Sequence, residues 1–184
     1  ELLHILVADD ETVLSCGFDA SGLPLPLEVT PDWSSSKLFG TAPSTLISAL
    51  QTRNLTLNDH VCGITPTTYA KYPKLSEFWR ILSLNHDRNN MVFVSTVEAM
   101  KYPFYGLQWH AECNSWLWID DLGTDHSPDA VLAGLWISRP FVEAARASTH
   151  QYPSEKEEVA ALFDHYVPKY DLGDGTQTWY FPPQ

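Results

Sequence analysis

The 184-residue chain has no run approaching the ~20 consecutive apolar residues that a membrane-crossing helix needs, so no such span is expected. Basic residues are scarce too. Eleven lysines and arginines stand against 23 aspartates and glutamates, a formal charge of −12, and no basic cluster breaks the acidic background. Nucleic acid and anionic membranes both attract cationic patches, so neither is expected as a partner. The acidic balance suits work at low pH or outside the cytoplasm without requiring either. Cysteine is nearly absent. Cys16, Cys62 and Cys113 form no C-x-x-C pair and no zinc-type spacing with histidines, so no metal is expected and at most one disulfide can form, its pairing left open. No leader-like segment and no initiating methionine are present. The opening Glu1-Leu2-Leu3-His4-Ile5-Leu6 sets the expectation of a mature product or a fragment.

What is present suffices for a core: 44% hydrophobic and 12% aromatic residues, with no internal repeat and no boundary, read as one domain over 1–184. Asn54-Leu55-Thr56 is a glycosylation triplet, meaningful only on a secretory route. Apolar spacing predicts a helical tail over Glu1–Ala8, irregular strands over 13–29 where Gly17, Gly22, Pro24 and Pro26 interrupt, and a short helix over 43–50. Leu55–His60 alternates like a strand. Leu75, Phe78, Trp79 and Leu82 predict a helix over 74–84, ending in a polar turn over 85–90. Met91–Ala99 and Phe104–Trp109 read as an antiparallel hairpin. Ser127 and Pro128 supply a cap and a first-turn proline for a helix that Pro140 should kink, and Ser154 caps another before an aromatic, proline-rich tail expected to wrap the surface.

His110 falls at the end of the predicted strand over 104–109, where α/β sheets place binding crevices. In extended backbone Glu112 lies on the same side. It can therefore accept a hydrogen bond from one imidazole nitrogen, fix the tautomer, and leave the other nitrogen to act as a base. The same spacing also suits a packed histidine that merely bridges two loops.

The string Tyr105-Gly106-Leu107-Gln108-Trp109-His110-Ala111-Glu112 resembles the histidine motif of class I glutamine amidotransferase-like enzymes, and the wider match is to their γ-glutamyl hydrolase branch. Ser95-Thr96-Val97-Glu98-Ala99, His126-Ser127-Pro128-Asp129-Ala130-Val131, Phe141-Val142-Glu143-Ala144-Ala145-Arg146 and the 154–158 stretch are similar to that branch in the same order. The resemblance implies an α/β, three-layer doubly wound sheet of flavodoxin-like type, with this chain as its C-terminal part. It implies a cysteine hydrolase of γ-glutamyl amides that needs no cofactor, with His110 as base, Glu112 orienting it, and His60 and Trp109 shaping the pocket. Lysosomal or secreted residence follows from the same resemblance.

The family's nucleophilic cysteine has no counterpart among Cys16, Cys62 and Cys113, and the resemblance puts it upstream of Glu1. A companion N-terminal segment or chain is therefore expected, and a homo-oligomer is open. The competing reading is a catalytically inactive member serving in an assembly. Ala111 in place of the family's proline, Cys113-Asn114-Ser115 in place of a more basic stretch, and Pro140 within a helix give it weight.

Overall fold

Ser127 starts the longest helix as the spacing predicts: its side chain accepts from the Ala130 N–H, and Pro128 occupies the first turn, where a missing N–H costs nothing. Ser154 caps a shorter helix the same way, accepting from the Glu157 N–H. In a computed structural model, residues 1–119, 122–170 and 177–181 are described. Helices among them are α1 (Leu2–Ala8), α2 (Ser44–Thr52), α3 (Pro66–Lys71), α4 (Pro73–Phe78), α5 (Cys113–Trp116), α6 (Pro128–Arg146) and α7 (Glu155–Ala161). Strands are β1 (Ser15–Cys16), β2 (Leu23–Leu25), β3 (Glu28–Val29), β4 (Thr56–Asn58), β5 (Cys62–Gly63), β6 (Trp79–His86), β7 (Val92–Ala99), β8 (Tyr105–Leu107), β9 (Lys169–Tyr170) and β10 (Gln177–Thr178).

The main sheet runs β3-β6-β7-β8, and β1-β5, β2-β4 and β9-β10 form small ladders. Each of these pairings is antiparallel. The architecture is thus mixed α/β, while a parallel doubly wound sheet is not seen among the described residues. The connections explain this: β6, β7 and β8 are joined by short links, and a parallel pair needs a crossover of a dozen or more residues. Asp87 builds the first link, its carboxylate accepting from the N–H groups of Asn89 and Met91 at 2.9 and 2.8 Å and from Asp19 at 2.8 Å.

The helix expected over 74–84 is corrected. It stops at Phe78, and Trp79 enters β6. A register shift between Ile81 and Ser83 places Leu82 and Ser83 both inside, which breaks the alternation and leaves apolar residues at helix-like intervals. Pairing with β3 and β7 on both sides then outweighs the local preference. Helix α6 is assigned without interruption through Pro140 to Arg146. In the tail, β9 and β10 are exposed, and Pro182 and Pro183 lie outside the described residues.

Three apolar clusters hold the sheet among the described residues, the smallest formed by Phe18, Ala20 and Phe93. Leu46, Ile47 and Leu50 of α2 and Ala130 and Ala133 of α6 gather with Leu38, Phe39, Leu82 and Trp109. Ala8 of α1, Tyr69 of α3 and Leu75 of α4 gather with Trp79, Val94 and Val97. Arg53, just after α2, pairs with Asp129 and donates to Ser127 Oγ at 3.0 Å, tying the start of α6 to the end of α2.

Candidate active site

Strand β8 pairs with β7 through Leu107 opposite Thr96, and its continuation carries the motif. Trp109 is 2% exposed, its indole N–H donating to Thr96 Oγ1 at 3.1 Å, and the same oxygen accepts from Ser83 Oγ at 2.8 Å. The next backbone N–H, that of His110, donates to the Leu57 carbonyl of β4 at 2.8 Å. His110 is therefore seated by its neighbours on both sides.

Its side chain is 41% exposed and donates from Nδ1 to Glu112 Oε1 at 2.7 Å, so a neutral ring has Nε2 unprotonated. The hydrogen bond that Glu112 accepts raises the His110 pKa above the ordinary histidine value, against burial, and the same bond holds Glu112 below the usual carboxylate range. An oriented imidazole with one free nitrogen is a general base in form.

The loop beneath is locked by residues that spacing did not reveal. Asn114, buried in α5, donates to the Leu55 carbonyl at 3.1 Å and to the Asp125 carbonyl at 2.8 Å, while His126 Nδ1 donates to the Asn114 carbonyl at 2.9 Å. Gly134 lets α6 press against the same loop: a Cβ there would lie 2.5 Å from the Ala111 carbonyl oxygen. An isolated glycine in a helical pattern was the one available signal. Asn114 gave none.

His60 follows β4, and its Nδ1 donates to the Cys62 carbonyl at 2.8 Å. The ring stands edge-on to Phe93 at 4.7 Å, and Nε2 is buried without a partner among the described residues. Burial lowers its pKa, against the hydrogen bond to the Cys62 carbonyl and the charge of Glu1, which raise it, while the charge of His110 lowers it further. Trp109, expected to shape the pocket, belongs to the core, and among the described residues it bears on the site through the seat of His110. Asn54 is exposed between α2 and β4.

The cysteines divide clearly. Cys16 and Cys62 are disulfide-bonded, and Cys113 is free and 6% exposed, its thiol pushed up to about 11 by burial and by the charges of Glu112 and Asp59. Nothing here makes a reactive thiolate of it.

No family model matches the chain. Curated relatives do. The chain is 34% identical to γ-glutamyl hydrolase of Bos taurus over 170 residues, 92% of this chain and 52% of that protein. It is 32% identical to γ-glutamyl hydrolase B of Dictyostelium discoideum over 83% of this chain and 44% of that one, and 32% identical to γ-glutamyl hydrolase 1 of Arabidopsis thaliana over 92% and 48%. The chain belongs to the γ-glutamyl hydrolase family. It spans about half the length of the curated relatives it matches. In this member of the family His110 and Glu112 are joined by a hydrogen bond, and the charge of His110 bears on His60.

Proposed function

We propose that this chain is the base-bearing part of a γ-glutamyl hydrolase, a cysteine hydrolase that cleaves γ-glutamyl amide bonds. The observation that carries this reading is the oriented His110, its Nδ1 held by Glu112 at 2.7 Å and its Nε2 left free. A thiol from a cysteine preceding Glu1 gives its proton to Nε2 and attacks the amide carbon. The imidazolium, stabilised by Glu112, returns that proton to the departing amine. Water then opens the thioester with His110 again as base, regenerating the thiol.

The position of α1 supports this source of the nucleophile: Gln108 Nε2 donates to Glu1 Oε1 at 3.1 Å, so the start of α1 lies beside the segment that leads into His110. In the same reading a segment outside these residues, continuous or a companion, completes the doubly wound sheet of glutamine amidotransferase-like type. Exposed Leu2, Leu6, Phe104 and Phe141 support a covering segment, or a second copy, on that side. Maturation on a secretory route, toward a lysosomal or extracellular site, is supported by the Cys16–Cys62 disulfide and the exposed Asn54 triplet.

The test is hydrolysis of a γ-glutamyl oligomer by the full-length protein. Turnover should fall at least ~100-fold in His110→Ala, the range general acid–base groups contribute. Absence of turnover in the natural protein overturns the proposal.

A further inference from the structure

We propose that His110, Glu112 and Cys113 form a binding site for a thiophilic divalent cation of the Zn²⁺ type, and that occupying it switches the enzyme off. The first half stands without the hydrolase reading; the second rests on it.

One imidazole nitrogen, one carboxylate oxygen and the Cys113 sulfur all lie within 4.8 Å of one another. Ligand atoms around tetrahedral zinc, with bonds near 2.0–2.3 Å, stand about 3.3–3.8 Å apart, so contraction by roughly 1 Å closes the set. The two outer donors are free to make that move, being 41% and 69% exposed. Cys113 is the fixed donor, buried where α5 begins. A cleft of about 630 Å³ lined by Glu112, Cys113, Trp116, Leu117 and Trp179 opens onto the pair, giving a cation a route in.

The donor types select the ion. A thiolate with an imidazole and one carboxylate suits Zn²⁺ or Co²⁺, whereas Mg²⁺ and Ca²⁺ require oxygen. Three protein ligands leave a fourth position for water. On binding, the S–H bond of Cys113 breaks, its proton leaves to solvent and a metal–sulfur bond forms; the imidazole donates a lone pair, from Nε2 as it stands or from Nδ1 once that nitrogen's proton has passed to Nε2, and nothing is oxidised or reduced. An imidazole committed to a metal no longer receives the nucleophile's proton, hence the inhibition. The donors at 110, 112 and 113 follow no familiar zinc spacing, which is why the sequence alone suggested no metal.

The chain's own chemistry makes the test specific. With Cys16 and Cys62 joined, Cys113 is the one thiol of residues 1–184, so once the nucleophilic cysteine expected before Glu1 is replaced by alanine, a thiolate-to-cobalt charge-transfer band reports Cys113. The protein so altered, kept free of reductant, is titrated with Co²⁺ and then Zn²⁺, and Zn²⁺ affinity is measured against a chromophoric chelator. A near-ultraviolet band that Zn²⁺ abolishes, absent in Cys113→Ser and accompanied there by at least roughly tenfold weaker Zn²⁺ binding, is the expected result. Glu112→Gln, which leaves the buried thiol in place, should keep the band and weaken affinity. No band in the protein without the upstream cysteine, or unchanged Zn²⁺ affinity when Cys113→Ser is added to it, overturns the site. In the turnover assay Zn²⁺ should inhibit the natural protein and spare Cys113→Ser; equal inhibition of both overturns the switch. Cobalt binding through sulfur with no hydrolysis by the natural protein would refute the hydrolase reading and leave the site standing.

Discussion

At the scale of the residue, His110 and Glu112 shape each other's chemistry. The carboxylate raises the imidazole's pKa and the imidazole depresses the carboxylate's, so the ion pair exists between the lowered pKa of Glu112 and the raised pKa of His110. Its contribution to stability is lost as pH rises through the first-named histidine's raised value, and lost again as pH falls through the depressed value of Glu112. A histidine-detected NMR titration should place His110 above the ordinary value of about 6.5, and Glu112→Gln should bring its midpoint down. An unshifted midpoint in that variant would show the hydrogen bond to be idle. This pair was legible in the sequence because two positions in extended backbone share a side. The environment of Trp109 was not, since nothing in the string Gln-Trp-His says whether the indole faces solvent or Thr96.

Among the elements, the approach of α6 to the 110–112 loop leaves little tolerance. Gly134→Ala should cost about 1–3 kcal/mol, because the new methyl group would meet the Ala111 carbonyl and either helix or loop must yield. Chemical denaturation measures the loss, and movement of the His110 resonance would show that the loop is what gives way. Helix α6 itself was readable from Ser127 and Pro128, and the β7–β8 hairpin from alternating apolar residues, since both signals are local. Strand β6 was misread for a physical reason: its irregularity at Leu82 imitates helical spacing, and its true preference arises from two partners distant in the chain.

For the molecule as a whole, covalent closure matters most where the strands are shortest. The Cys16–Cys62 bridge joins paired positions of the two-residue strands β1 and β5 across 46 residues of chain, which in the loop-entropy picture stabilises by about 4 kcal/mol. Replacing both cysteines with serine should therefore lower the melting temperature by roughly 10 °C in calorimetry. A shift under a degree or two would mean that the reduced chain is already constrained there. Sequence counting allowed one bridge and left its members open; only the pairing of β1 with β5 selects them. Individual helices and strands were legible from spacing and the α/β class came from the family resemblance, whereas strand direction was not legible, because it depends on what lies between strands rather than within them.

Thr96 carries a consequence beyond its own strand. One hydroxyl oxygen receives both Ser83 from β6 and Trp109 from the end of β8, so three consecutive ribbons converge on a single atom. Valine, nearly the same in outline, would orphan two buried donors at once and slacken the anchor immediately preceding the imidazole. A substitution that looks innocuous by shape, and that touches no reacting group, would thus be felt as a misaligned base.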